Sequence, residues 1–453
     1  MSLSAYMEYK DSGIEWVDDI PSLWEHGPLR WLALRYSGGT PDKKNESYWT
    51  DGIVPWLNSG AVNQGLISEA SAYITQSALD QSSAKWVPEN SILMALAGQG
   101  KTKGMVGQLS FRATCNQSMA AIVPTKNLNA RYLYWWLTSN YLNIRNMAGG
   151  DHRDGLNLEL IATIPVPLPS ALEQKTIAAF LDHETGKIDA LVEEKKRLIV
   201  LLKEKRQAVI SHAVTKGLNR SLPMKDSGIE WLGEVPEHWK VTRVKRISTL
   251  VGRIGYRGYT TADLVDEGEG AISLSPSNLV EGRLNLNKRT YLSWQKFYES
   301  PEIEIKNNDV VMVKTGSTFG KVGIIDVNDL PSSTINPQLV IFKGIWCEPY
   351  FLYFSLTVPY MLAEIAVNNS GSTIPTMSQE NIGNFGIPMP PRHEQNSIVQ
   401  HLKQYSEKLD GLIAQAETAI LLLRERRSAL ISAAVTGKID VRDFTFNQTE
   451  TEQ

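Results

Sequence analysis

The sequence predicts a mixed α/β chain made of two tandem copies of one unit, each closed by a long helix. Three observations carry this. The block Lys10-Asp11-Ser12-Gly13-Ile14-Glu15-Trp16 returns unchanged as Lys225-Asp226-Ser227-Gly228-Ile229-Glu230-Trp231, 215 positions later. Between such blocks, short β-branched or apolar runs alternate with Gly, Asn, Ser and Pro, the pattern of buried strands between turns. Each half then ends in a proline-free stretch with apolar residues at steps of three and four, the spacing of a long amphipathic helix.

The duplication extends well beyond the first block. Pro21 and Trp24 match Pro236 and Trp239 at the same offset. Later, Ile164-Pro165-Val166-Pro167 parallels Ile387-Pro388-Met389-Pro390. Glu173-Gln174 parallels Glu394-Gln395, and Ala213-Val214-Thr215 parallels Ala434-Val435-Thr436, both now at an offset of 221. Internal repetition of this kind means that one supersecondary unit is used twice. The strand runs include Ile53-Val54, Ile92 to Met94, Ala121 to Val123, Val310 to Val313 and Leu339 to Phe342. The aromatic runs Tyr132 to Trp136 and Tyr350 to Leu356 fit a helix or a strand equally well. The intervening loops differ between the halves, Gly98 to Gly104 against Gly316 to Lys321. A shared framework with different loops predicts one fold presenting two different binding surfaces.

The long helical stretches carry a sustained a/d seam, which predicts a coiled coil between the two halves. Its interface residues are Ile177, Leu181, Ile188, Leu191, Leu198 and Leu202 in the first helix. In the second they are Ile398, Leu402, Leu409, Leu412, Leu423 and Leu430. If the helices pair antiparallel, they act as a ruler between two sites. The predicted divisions are 1–168 for the first α/β domain, 169–217 for its helix, 218–390 for the second domain, 391–438 for its helix, and 439–453 for a disordered tail.

Composition narrows the functional classes. Lys and Arg number 46 against 49 Asp and Glu, a formal charge of −3, which excludes a uniformly basic nucleic-acid coat but not a local basic patch. The two cysteines, Cys115 and Cys347, form no CxxC or Cys/His cluster, so neither a zinc site nor a disulfide framework is expected. The start has no basic and apolar leader pattern and no run is long enough to span a bilayer, so the chain is expected in the cytoplasm, without a membrane partner.

Catalytic motifs are scarce. Ala95-Leu96-Ala97-Gly98-Gln99-Gly100-Lys101-Thr102 fits a relaxed phosphate-loop pattern, but two glycines follow where a helix must begin. Asp151-His152-Arg153-Asp154 reads as a polar loop. There is no GxSxG and no Asn/Asp-Pro-Pro-aromatic tetrapeptide. What remains is basic clustering: six cations and no acid between Trp239 and Arg257, and Lys101, Lys103 and Arg112 without an acid from Gly98 to Arg112. On duplicated domains joined by a helical ruler, such clusters point to DNA. The candidate DNA-binding residues are Lys101, Lys103, Arg112, Arg253, Tyr256, Arg257, Lys314 and Lys321.

Taken together, the two KDSGIEW…P..W blocks, the two I-P-x-P…E-Q blocks and the AVT helix endings resemble the specificity subunit of type I restriction–modification systems, over nearly the whole chain to about Lys438. Gly38-Gly39-Thr40-Pro41 and Val54-Pro55-Trp56-Leu57 are also similar to target-recognition domains of that family; the second half lacks both sequences at equivalent places, so a different target is expected for it. The resemblance implies two target-recognition domains and two conserved helices, with circular pseudo-two-fold symmetry. It implies no catalysis by this chain, which would read a gapped bipartite site in double-stranded DNA. Its partners would be two methyltransferase subunits and restriction/translocase subunits. S-adenosylmethionine, ATP and Mg are then expected on those partners and none on this chain. Two other classes compete: a coiled-coil scaffold with repeated protein-binding domains, and an ATP-binding enzyme using the Ala95 to Thr102 loop.

Overall fold

The computed structural model describes residues 4–98, 100–148, 155–230, 232–253, 258–359, 361 and 376–444. The chain divides into two compact units. The first takes Met1–Lys196 together with Glu417–Gln453; the second is Arg197–Ala416. The first unit thus draws on both ends of the sequence, the circular arrangement expected.

The first unit holds a five-stranded sheet in the order Ala33–Ser37, Met119–Pro124, Ile92–Ala95, Val106–Leu109, Leu66–Ile67, and a four-stranded sheet in the order Ala72–Ile74, Val54–Leu57, Ala113–Cys115, Trp86–Val87. The second unit repeats the plan. Thr249–Val251, Leu339–Lys343, Val310–Val313, Val322–Ile324 and Arg283–Leu284 follow in the same order, with Leu279–Val280 added at the edge. Strand senses match too: Val106–Leu109 lies parallel to Leu66–Ile67, and Val322–Ile324 parallel to Arg283–Leu284.

Why the middle strands read as unbroken apolar runs is now clear. Alternate side chains leave opposite faces of a strand. Ile92 and Met94 pack under the helix Ala130–Ser139, while Leu93 and Ala95 pack against the second sheet. In the second unit, Val310 and Met312 face the helix Pro349–Leu356, and Val311 and Val313 the other sheet. A strand covered on both faces has no polar side to alternate with. Both ambiguous aromatic runs are helices. Asn129 accepts from the Tyr132 N–H at 2.9 Å and Glu348 from the Phe351 N–H at 2.8 Å, each a side-chain cap on the first turn.

The long helices are Ala171–Lys216 and Arg392–Val435. Inside each unit, part of one packs antiparallel on part of the other. In the first unit Ile177 and Leu181 share a core with Ile431 and Val435, and Asp189 pairs with Arg427 at 2.9 Å. In the second, Leu202 packs with Leu409 and Ile413, and Arg206 pairs with Asp410.

The seam differs from the expected one in phase. Ile177, Leu181, Ile188, Leu202, Ile398, Leu402 and Leu409 are buried, and Leu423 and Leu430 half-buried. Leu191, Leu198 and Leu412 turn outward, with 43%, 39% and 40% of their surface exposed. Buried instead are Thr185, Val192, Ile413 and Ala416. Steps of four-then-three and three-then-four coincide every seventh residue, so counting apolar positions cannot separate them. Thr185 is the polar residue that hides the true phase; its hydroxyl donates to the Leu181 carbonyl at 2.6 Å, which permits its burial.

The expected disordered tail also needs correction. Val441 is buried, and Phe444 stands edge-on to Phe180 with ring centroids 5.1 Å apart. Ile439, Val441 and Phe444 therefore pack into the core of the first unit. The rest of that tail, 445–453, lies outside the described residues, as do Asp151 to Asp154.

Candidate nucleic-acid interface

The repeated sequence blocks assemble into one junction per unit. Asp11 accepts from the Gly13 N–H at 2.9 Å, and Asp226 from the Gly228 N–H at 3.0 Å, closing the same turn in each KDSGIEW block. Trp24 Nε1 donates to Glu173 at 3.4 Å; Trp239 Nε1 donates to Glu394 at 3.0 Å. The neighbouring glutamines are buried hubs. Gln174 accepts from the Asn129 N–H and donates to the Pro169 carbonyl; Gln395 accepts from the Glu348 N–H and donates to the Pro390 carbonyl. Each tryptophan also touches the glycine that ends the other long helix, Gly437 beside Trp24 and Gly217 beside Trp239. The blocks are framework: they lock a recognition domain onto the start of one helix and the end of the other.

What the framework presents is a hairpin. In the first unit, residues 96–105 join Ile92–Ala95 to the antiparallel strand Val106–Leu109. In the second, residues 314–321 join Val310–Val313 to Val322–Ile324 in the same way. Four candidate residues fall on these equivalent hairpins. Lys101 is exposed, its carbonyl accepting from the Tyr141 hydroxyl at 2.6 Å. Lys103 is a correction: it is only 6% exposed, so it does not stand on the outer surface. Lys314 and Lys321 are half-buried; Lys314's ammonium is pushed below its ordinary pKa by burial. The strand after Thr102 also settles the phosphate-loop question. No helix N-terminus follows Lys101, so the aligned amides that would cradle a phosphate are absent there.

Arg112 sits exposed beside the second sheet, its guanidinium 4.1 Å above the Trp86 ring. Stacking holds the planar cation while leaving its edge donors available. Arg253 is the second correction. It is 3% exposed; Nε donates to the Ile335 carbonyl and Nη2 to the Thr334 hydroxyl, both at 3.2 Å. Its guanidinium lies 5.4 Å from the Tyr259 ring, and burial lowers its pKa. It is an internal strut between the two sheets, used because five fixed donors can satisfy buried acceptors from several directions. Tyr256 and Arg257 lie outside the described residues.

The GGTP and VPWL sequences meet directly, Trp56 Nε1 donating to the Gly39 carbonyl at 3.0 Å. Sequence reasoning missed a cleft of about 660 Å³ in the first unit, beside Lys101. Arg131 on its wall is fixed by Asp182 at 2.7 Å and lies 4.5 Å from the Tyr134 ring. The available signal was Arg131 three residues before Tyr134, one helical turn away.

Cys115 and Cys347 are buried and free, and burial pushes both thiols up to about 12, which favours the protonated thiol at neutral pH. Among the described residues no group of three or more His, Cys, Asp or Glu could hold a metal ion, and no helix is long and apolar enough to cross a membrane.

A duplicated two-sheet domain alternating with long antiparallel helices defines the architecture of a two-site recognition protein. Comparison with known proteins gives the family. The profile described as "Type I restriction modification DNA specificity domain" matches residues 21–199 and 274–421, and the chain belongs to that family. It is 22% identical over 402 residues to the type I restriction enzyme MjaVIII specificity subunit of Methanocaldococcus jannaschii, covering 87% of this chain and 88% of the relative. It is 20% identical over 435 residues to the EcoKI specificity subunit of Escherichia coli strain K12, covering 93% and 90%. Among solved structures, a chain of a type I R-M system, described for its complex assembly and conformational transition, aligns with a TM-score of 0.67 at 17% identity, covering 93% of this chain and 99% of that one. The HsdS subunit from Thermoanaerobacter tengcongensis aligns with a TM-score of 0.54 at 15% identity, covering 93% and 98%.

Proposed function

We propose that this chain is the sequence-reading component of a type I restriction–modification complex, each unit reading one half of a gapped bipartite site in double-stranded DNA. One observation carries this: the same hairpin, on the same fold, bears different basic sequences in the two units. Hairpin lysines such as Lys101, and Arg112 beside the second sheet, supply phosphate contacts that fix register, while neighbouring loop side chains read base edges in the grooves. The length of the paired helices sets the gap between half-sites, as dimer spacing does in two-fold readers.

The helices also carry apolar side chains that the units do not bury. Leu191, Leu421 and Leu422 stand exposed in the first unit, and Leu198, Val200, Leu201 and Leu412 in the second. Exposed apolar side chains clustered on a helix suit a partner surface, and we assign those of each unit to a methyltransferase subunit. S-adenosylmethionine, ATP and Mg then serve catalysis on partner subunits, the methyltransferases and a restriction/translocase, with this chain supplying specificity.

Genome-wide mapping of methylated adenines in the host, with the chain present and deleted, tests the reading. Loss of methylation at one gapped bipartite motif is the expected result. An unchanged map in cells that express the chain overturns it and favours a protein scaffold.

A further inference from the structure

The second unit contains a cleft of about 730 Å³ that the DNA-reading role does not use. Its walls come from the last turns of the first long helix, the segment after it, and the facing turns of the second long helix. Lys205, His212, Arg220 and His401 line it, over an apolar floor that includes Val209. No carboxylate is among the lining residues. His401 and Tyr405 stack nearly parallel, with ring centroids 6.1 Å apart and planes at 18°, giving the cleft a flat aromatic wall.

The repeat supplies an internal control. At the offset of 221, His401 and Tyr405 correspond to Phe180 and Glu184, and His212 to Ala433. In the first unit Phe180 is covered by Phe444 from the chain's own C-terminal segment, and Leu430 and Ile439 join the same core. Apolar side chains of the chain's own C-terminal segment thus fill that groove. Its counterpart in the second unit is open, and histidines replace the apolar residues. His212 works against its surroundings: burial, then Arg220 and Lys216, lower its pKa from the ordinary value. Concentrating cations in a concave site whose lining residues include no carboxylate costs stability unless an anion arrives.

We infer that this cleft is an oxyanion site for clustered phosphates, separate from the recognition hairpins. Four cationic or protonatable side chains surround a space of the size that small ligands occupy, and charge-assisted hydrogen bonds to phosphate oxygens are the strongest such groups make. The inference stands apart from the DNA-reading proposal, since it needs neither hairpin.

Calorimetric titration of the full chain with sodium tripolyphosphate is the test. The parent should bind saturably. The exposed double variant Arg220→Ser/His401→Gln should bind about tenfold or more weakly, the loss of two charge-assisted contacts. Lys43→Ser, an exposed cation of the first unit, should leave binding unchanged. The single variant Arg220→Ser, in the segment beyond the helix, repeats the test without touching the aromatic stack. Absence of saturable binding by the parent overturns the inference, and so does equal weakening by Lys43→Ser. Adding a short duplex of unrelated sequence distinguishes the phosphate's source: displacement of the tripolyphosphate identifies a DNA backbone, and retention identifies a free anion.

Discussion

Replacing Arg253 with alanine separates a contact to DNA from a strut inside the domain. The guanidinium donates at 3.2 Å to the Ile335 carbonyl and the Thr334 hydroxyl, and lies against Tyr259. Bonds from a charged donor contribute about 1.5 kcal/mol each at the weak end suited to these lengths, and a buried cation–aromatic contact adds roughly 1 kcal/mol. Truncation also leaves buried acceptors without a donor. R253A should therefore destabilise the second unit by about 3–4 kcal/mol, which lowers the midpoint of its thermal transition by roughly 6–16 °C for a domain of this size. R253K should recover little, because one ammonium cannot reach both acceptors in the guanidinium's geometry. Scanning calorimetry reads the stability. DNA affinity measured against salt concentration, well below the variant's transition, reads the contact. The logarithmic salt slope should match the parent's. An R253A protein with an unshifted transition and a slope reduced by about 0.9, the signature of one lost phosphate contact, would refute the placement of Arg253 in the interior.

The remaining predictions address the hairpins, the junctions and one surface ion pair. Lys101→Ala and Arg112→Ala should leave the thermal transition in place and each lower the salt slope of DNA binding by about 0.9; an unchanged slope removes that residue from the interface. Gly437→Ala should destabilise the first unit by roughly 2–4 kcal/mol, since φ is +72° and the new Cβ would meet the Pro21 ring at 2.4 Å. Gly217→Ala has the same backbone but its nearest neighbour, on Trp239, is 3.2 Å away, so about 1–2 kcal/mol is expected there. Equal losses in denaturant unfolding would contradict this account of the junction. The Arg442 guanidinium, by hydrogen bonding, holds the Asp440 carboxyl below its ordinary value. A carboxylate depressed in the folded state stabilises above its unfolded pKa, near 4, and the contribution fades as pH falls through the folded value. Asp440→Asn should thus cost up to about 1 kcal/mol at neutral pH, with the gap to the parent closing as pH falls below about 4; a gap independent of pH would show that the ion pair contributes nothing.

Much of the architecture was legible because duplication is visible without knowing any structure. Two copies of KDSGIEW, IPxP…EQ and AVT fixed the repeat, and these residues are the ones that touch one another in each junction. Their spacing in sequence said nothing of that contact, since Trp24 and Gly437 are brought together only by the chain's return. The phase of the helical seam was illegible for a different reason. A buried threonine looks the same as an exposed one until its backbone acceptor is known. Basic residues carried the weakest signal. Arg253 and Lys103 have the same letters as surface cations, yet both are buried, and for Arg253 hydrogen-bond geometry rather than charge explains the burial. Lys101, Lys314 and Lys321 come together as hairpin residues only through the strand pairing that puts 96–105 and 314–321 at the same place in two copies of one sheet.

The division of the chain has a consequence for how it is made. The second unit is one continuous stretch, 197–416, whereas the first needs residues from 417 onward. Translation runs in one direction, so the earlier domain leaves the ribosome lacking Ile431, Val435, Val441 and the Gly437 turn that closes over Trp24. At about 5–20 residues per second, the intervening 220 residues take roughly 11–44 s to emerge. During that interval Phe180 and Leu181 lack the cover of Ile431, Val435 and Phe444, while the later domain gains every segment it requires as it appears. The domain synthesised first is thus completed last, and its uncovered helix face is the point in biogenesis where chaperones, or a partner subunit arriving early, have most to hold.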